Sequence, residues 1–260
     1  MEISPVIDLL LKHRSIRKYT ADPVPDAVLQ QILEAGARAA TTGNMQLYSV
    51  IVTKDEARKK ALAPLHFNQP MITEAPVVLT FTADVNRFQQ WCEQREAGRA
   101  YDNLLWYVCA SIDCLLMAQN TVIAAEAMGL GTCFLGTTLY MARELSEFFE
   151  LPAGVIPLTT LTIGYPAEQP QMSDRLPMEG ILHAERYQPY TPEAIDRIYG
   201  PKESLEQTRR LLLENALPNL AQIFTLRRYP LADNLKYTRL YLDLLKTQGY
   251  WSAEDTAECK

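Results

Sequence analysis

Histidine and cysteine are scarce in this chain of 260 residues, which has three of the first and five of the second. The cysteines (Cys92, Cys109, Cys114, Cys133 and Cys259) are odd in number and show neither a CxxC pair nor a paired spacing. This argues against a disulfide framework and against a structural zinc site; the thiols read as reduced, in a reducing compartment. Excess positive charge is missing too. Lys plus Arg number 25 and Asp plus Glu 31, a formal net charge of −6, which disfavours non-specific nucleic-acid binding because that rests on neutralising phosphates. No uninterrupted apolar run reaches the length of a membrane span: the most apolar stretch, 104–117, is broken by Asp113. The short apolar run 6–11 contains Asp8, has no basic residue before it and no small-residue cleavage site after it. The expectation is a cytoplasmic protein without a targeting segment and without a membrane partner. Repeats and low-complexity tracts are absent as well. What is present is ordinary globular material, 48% hydrophobic and 22% charged, enough for one large domain or two small ones.

Several catalytic signatures are also missing. There is no GxSxG elbow and no P-loop. None of His13, His66 and His183 stands at a telling distance from Cys109 or Cys133, so a cysteine hydrolase is disfavoured. The three glycines of 129–136 follow a helix and precede a strand, the reverse of the order that a dinucleotide-binding fingerprint requires.

Periodicity outlines the architecture. Helices are predicted over 5–12, from Pro25 at a first helical position, over 55–63 and over 142–149. Strands are predicted over 48–53, 77–83, 132–135 and 158–163. On 77–83, Val77, Leu79 and Phe81 share one face while Val78, Thr80 and Thr82 share the other, with no charge on either, as in a sheet covered on both sides. From Pro192 onward the chain reads as helical and amphipathic, most clearly over 237–246. The segment 103–128 is one long helix ending at Gly129, apolar almost all the way round. Such a helix must be buried on every side. A partner copy over one face would achieve this; a central helix in a three-layer monomer is the other solution. The mixture is that of a layered α+β or α/β domain.

Two short stretches carry polar chemistry. In His13-Arg14-Ser15-Ile16-Arg17-Lys18, guanidinium groups and a hydroxyl suit a phosphorylated ligand; a solvated basic turn closing a helix is the plainer reading. In Thr41-Thr42-Gly43-Asn44-Met45-Gln46, two amides flank a position where the backbone could approach a flat ligand, or the segment is simply a helix-to-strand loop.

Their combined order is more specific. His-Arg-Ser-Ile-Arg, then Gly-Asn-Met-Gln before a strand, then Gly-Leu-Gly-Thr and Leu-Gly, then Ile-Gly-Tyr-Pro and Arg-Leu-Pro, resembles the nitroreductase family of FMN-dependent oxidoreductases over about 7–190. The stretch Ile112-Asp113-Cys114-Leu115-Leu116-Met117-Ala118-Gln119-Asn120, the run 161–168 and the run 183–190 are most similar to its NADPH-preferring branch. The resemblance implies an α+β fold: a three-layer α/β/α sandwich with a central mixed sheet, in an intimate homodimer with FMN in a cleft between subunits. It implies a core over 1–190 and a helical C-terminal extension over 191–260 that wraps the core or the partner.

It also implies roles. His13 and Arg14, with Ser15, would hold the FMN phosphate. Arg17 would face the pyrimidine edge, where a cation stabilises charge gathered on reduction. Asn44, Gln46 and Gln69 would contact the ring and ribityl chain. Leu135, Gly136 and Thr137 would bring a backbone N–H to the flavin edge, with Gly136 the contact. Arg175 would be a second phosphate-binding residue. Ser173 departs from the branch, which commonly has Lys there, and no segment matches its Arg-rich loop for the NADPH 2′-phosphate. The implied activity is a ping-pong transfer of hydride from NADPH or NADH through flavin N5 to nitroaromatic, quinone or flavin acceptors, with no metal and no protein acid or base assigned. A flavin-binding protein without turnover, or other flavin chemistry such as reductive dehalogenation, is the alternative.

Overall fold

The computed structural model describes residues 4–251; Cys259 and the far end of the expected 191–260 extension lie outside the described residues. The chain divides into two units, one made of the chain up to Gln171 and from Arg239 onward, the other of Met172–Thr238.

In the first unit, the helices in chain order are α1 (Pro5–Leu11), α2 (Asp26–Gly36), α3 (Glu56–Leu62), α4 (Met71–Glu74), α5 (Asn86–Gln94), α6 (Leu104–Ala127), α7 (Thr137–Tyr140) and α8 (Ala142–Phe148). The strands are β1 (Tyr48–Thr53), β2 (Val77–Asp84), β3 (Gly131–Leu135) and β4 (Val155–Gly164). All four strands fall where they are predicted, to within a few residues at their ends. Pro25 caps α2 rather than opening it as the first helical residue. Asp55 caps α3 by accepting a hydrogen bond from Arg58 N–H, and Asn103 caps α6 through Trp106 N–H. Gly129, at φ 78°, turns the chain out of α6 in the left-handed conformation that suits glycine.

The sheet order is β1-β2-β4-β3, and every pairing among the described residues is antiparallel, with Tyr48 opposite Ala83, Val77 opposite Ile163 and Gly131 opposite Gly164. This corrects the expected mixed sheet. The reason is the insertion of β4: β2 and β3 run in the same direction, as a helical crossover through α6 favours, but β4 enters between them and opposes both.

Both faces are covered, which gives the three layers. On one, Val77, Leu79, Phe81, Leu161 and Ile163 pack with Leu29 and Ile32 of α2 and with Cys114, Met117, Ala118 and Val122 of α6. On the other, Val78, Cys133 and Leu135 pack with Leu62 of α3, Met71 and Ile72 of α4 and Leu145 of α8. Polar threonines join this second face: Thr138 donates to Leu135 O and lies 3.0 Å from the hydroxyl of Thr160, which faces Thr80.

The long helix needs a correction in one respect. The apolar count over 104–117 falls short of a span, yet α6 is long and apolar enough to cross a membrane by length and composition. Its setting is that of a core helix: Ala110, Cys114, Met117, Ala118, Thr121, Val122 and Ala125 form a buried stripe against the sheet and α2. The opposite stripe, with Leu105, Val108, Ile112, Leu115 and Leu116, is exposed on the single chain. All the residues of α1 are at least partly exposed, among them Val6, Ile7, Leu10 and Leu11.

The second unit contains α9 (Pro192–Glu203), α10 (Glu206–Asn215) and α11 (Leu220–Ile223), a π-helical turn over 224–228, and the start of α12 (Leu231–Thr247). The unit boundary falls at 171/172, upstream of the 190/191 that the resemblance implies. The chain after 239 belongs to the first unit because Leu244, Leu245 and Tyr250 are buried in its core, with Tyr250 Oη donating to Gly154 O at 2.6 Å.

Candidate functional site

The basic cluster is an extended segment laid along the β3–β4 edge. Ile16 N–H donates to Thr132 O at 2.8 Å, and Tyr19 forms a bridge with Pro166. The approach is close enough to demand a glycine: a Cβ on Gly131 would lie 2.7 Å from Ile16 Cβ. Tyr19, buried, donates to Ile16 O at 2.6 Å and sits 2.7 Å from Thr162 Oγ1; burial raises its pKa and keeps the phenol protonated.

Two carboxylates orient the segment. Glu168 Oε1 accepts from Arg17 N–H at 2.7 Å and Lys18 N–H at 3.1 Å. Glu126, near the C-terminus of α6, meets His13 Nδ1 at 2.8 Å and accepts from Thr132 Oγ1 at 3.0 Å. With Nδ1 engaged, His13 Nε2 remains to meet a ligand. Arg14 Nη1 donates to Pro170 O at 3.2 Å, and its Nε to Lys12 O at 3.4 Å. The Arg17 side chain is exposed and Ser15 half-buried. Arg14, Glu126, Glu168 and Gly131 border a cleft of about 480 Å³ beside the segment.

Asn44 and Gln46 are exposed on the loop that precedes β1. Gly43, Asn44 and Gln46 all have positive φ, between 56° and 57°. Gln46 Nε2 donates to Asn44 O at 3.2 Å, and Arg87 of α5 grips Gln46 O. Beneath the loop lies Asp113 of α6, buried, accepting from Thr42 N–H at 2.8 Å, Thr42 Oγ1 at 3.1 Å and Leu47 N–H at 3.4 Å.

A third group forms around α7. Gln69 N–H donates to His66 O at 3.1 Å, and His66 Nδ1 lies 2.8 Å from Thr137 Oγ1. His66 is fully buried, and burial lowers its pKa to about 4, so the ring is neutral near pH 7. Its Nε2 has no partner among the described residues. Leu135 is buried at the end of β3; Gly136 is exposed, and a Cβ there would meet nothing within 4 Å.

The structure thus joins Gln69 to Thr137 through His66, and the 13–17 segment to β3, the strand that ends at Leu135. It does not join these to Asn44 and Gln46 within one chain. Glu126 and Asp113 are 13 residues apart on α6, about 20 Å at 1.5 Å per residue, so the two groups attach at separated points on that helix. Arg175 belongs to the second unit, where its Nη1 donates to Ser173 O and Asp174 O.

The residue types fit FMN: guanidiniums, an imidazole and a hydroxyl for a phosphate, side-chain amides for a polar ring edge, and an unobstructed glycine at Gly136 for close backbone approach. The supporting Asp113, Glu126, Glu168 and His66 are absent from the predicted set. For Asp113 a signal existed, since a lone carboxylate in an apolar helix must find donors. For the two glutamates and His66 the partners are distant in sequence, and no local pattern marks them.

Comparison with known proteins identifies the family. The model of the Nitroreductase family matches residues 10–165. The oxygen-insensitive NADPH nitroreductase of Salmonella typhimurium is 36% identical over 195 residues, 75% of this chain and 80% of that protein. The NADPH-flavin oxidoreductase of Vibrio harveyi is 32% identical over 182 residues, 70% of this chain and 74% of its own. Among solved structures, an oxidoreductase from Bacteroides fragilis superposes with a TM-score of 0.93 at 46% identity, covering 94% of this chain and all of that one. The Vibrio harveyi NADPH:FMN oxidoreductase in complex with NAD+ superposes with a TM-score of 0.74 at 26% identity, covering 94% and 98%. The chain belongs to the nitroreductase family.

Proposed function

We propose that this protein is a cytoplasmic, homodimeric, FMN-dependent NAD(P)H oxidoreductase acting on small electron-poor acceptors such as nitroaromatics, quinones or free flavin. FMN, when bound, supplies the chemistry that accepts a hydride from the nicotinamide and passes reducing equivalents to the acceptor. The chain's own residues bind, orient and polarise. His13 Nε2, Arg14 and Ser15 hold the phosphate. Arg17 places positive charge at the pyrimidine edge. Asn44, Gln46 and Gln69 hydrogen-bond the polar ring edge and ribityl chain, and Gly136 lends a backbone N–H. Arg175 enters this assignment from the sequence resemblance alone. Relatives named for NADPH or for NAD(P)H support a nicotinamide donor; NADPH is the donor favoured here.

The observation that carries the reading is the arrangement along α6. Its exposed apolar stripe calls for a cover, and the two groups of site residues attach at separated points on it. A two-fold pairing through this stripe buries it and brings the Asn44 loop of one protomer to the His13–Arg17 segment of its partner. Cys92, Cys109, Cys114 and Cys133 are free thiols.

Anaerobic mixing with NADPH or NADH tests the proposal. The purified protein should be yellow, or become so with added FMN; its flavin absorbance should bleach with the nicotinamide and recover with a quinone. A protein that takes up no FMN defeats the assignment. One that binds FMN without bleaching is a flavin carrier and not an oxidoreductase.

A further inference from the structure

We infer that Asp113 is a positioning residue for the flavin-binding loop: it draws both ends of residues 42–47 onto one buried carboxylate and so projects Asn44 and Gln46 outward. The inference rests on the assignment of Asn44 and Gln46 to FMN.

Three observations carry it. First, the loop is conformationally costly. Gly43, Asn44 and Gln46 lie in the left-handed region, which glycine adopts freely, asparagine tolerates and glutamine does not favour. A loop of this kind persists only where its surroundings over-determine it. Second, Asp113 supplies that determination at both ends. One oxygen accepts from the backbone N–H and hydroxyl of Thr42, and the other faces Leu47 N–H. The loop between these anchors is four residues long, so fixing 42 and 47 restricts where 44 and 46 can point. Third, the carboxylate has no other described work. It is 1% exposed, and no ion pair among the described residues includes it. A buried carboxylate requires hydrogen-bond donors, and all of those described here belong to the loop and to the first residue after it.

Arg87 grips Gln46 O from α5, on the outer side of the same loop. The loop is therefore held from below by Asp113 and from the side by Arg87, while the amide side chains of Asn44 and Gln46 stay exposed. This holds the amides in place before ligand arrives, which lowers the ordering cost of binding.

Asp113→Asn tests the inference with little change of shape. One oxygen can still serve Thr42, but the new amide N–H₂ opposes Leu47 N–H, donor against donor. Amide hydrogen exchange measured on the protein as purified should rise about tenfold at Leu47 and its neighbours, the equivalent of one lost charge-assisted hydrogen bond, with β2 and β4 unaffected. The FMN dissociation constant from fluorescence quenching should rise by about the same factor. Thr42→Val, which removes only the hydroxyl bond, should give a smaller change in both. Unchanged loop exchange overturns the inference, as does exchange that rises uniformly through the sheet, the mark of a purely structural residue. Altered exchange with unaltered FMN affinity overturns it as well. Wild-type protein that binds no FMN defeats the functional assignment instead, a result that the exchange measurement does not depend on.

Discussion

Glu126 and Glu168 explain how a chain with net charge −6 can direct an imidazole and a guanidinium toward the proposed FMN site. Each acidic group serves orientation. Glu126 engages one nitrogen of His13, and Glu168 holds the backbone N–H groups of Arg17 and Lys18, so the Arg17 guanidinium is left outward. Arg14 is anchored differently, through backbone carbonyls of Pro170 and Lys12, with Nη2 remaining for a ligand. Arg14→Ala should therefore weaken FMN binding by roughly 1.5–3 kcal/mol, the worth of a charge-assisted contact; titration of apoprotein with FMN measures it, and unchanged affinity removes Arg14 from the phosphate site. His66 gives a pH prediction at the same scale. Its folded pKa of about 4 lies below the ordinary value of 6.5, so between these values the unfolded chain binds more protons than the folded one. The stability this buried neutral ring allows is fully present above pH 6.5 and is lost as pH falls through about 4. The loss approaches about 3 kcal/mol, taking about 1.4 kcal/mol per pH unit. Urea titrations of wild type and His66→Asn at about pH 7 and about pH 4.5 should show the larger acid loss in the wild type; parallel losses would mean that His66 is not the group responsible.

At the scale of elements, the central contact is that of the 13–19 segment with β3. Gly131→Ala places a methyl carbon 2.7 Å from Ile16 Cβ. Overpacking of this kind costs about 1–3 kcal/mol, and because Ile16 N–H is bonded to Thr132 O the strain falls on the segment that carries His13 and Arg17. The variant should lose both thermal stability and FMN affinity, whereas a loss of stability alone would mean that the segment absorbs the methyl without moving its cations. Which elements could be read in advance follows from the same distinction between local and distant interactions. β1 and β2 announce themselves by β-branched runs, and α6 by Asn103 at its start and Gly129 at its end. The sense of the sheet could not be read, because it depends on β4 entering between two strands that run the same way. α7 could not be read either: it is four residues long, and Thr137 is fixed by His66, 71 residues away. The site divides along the same line. Arg14, Arg17, Asn44 and Gln46 stand in short polar motifs, while Glu168 reaches Arg17 across 151 residues and Asp113 reaches Thr42 across 71.

For the whole molecule, the question is what covers α6. Leu105, Val108, Ile112, Leu115 and Leu116 lie on its outer side, each between 43% and 67% exposed. Bringing such a side chain from half exposure to burial contributes on the order of 1 kcal/mol, so five per chain, doubled by two-fold symmetry, supply a substantial drive to associate. The buried stripe of the same helix is complete without them, since Ala110, Cys114, Met117, Ala118 and Val122 already fill the contact with α2 and the sheet. An outer substitution should therefore spare the fold of the single chain and act on assembly. Ile112→Arg, in the middle of the exposed stripe, adds a charge that would be buried unpaired in a two-fold contact. Sedimentation should show a shift from dimer to monomer with the far-UV spectrum retained. If the proposed two-fold pairing brings the Asn44 loop to the partner's His13–Arg17 segment, FMN affinity should fall with it by at least about tenfold. A monomer that binds FMN as tightly as the wild type would place the whole cofactor site within one chain, and a dimer that survives the substitution would move the interface away from α6.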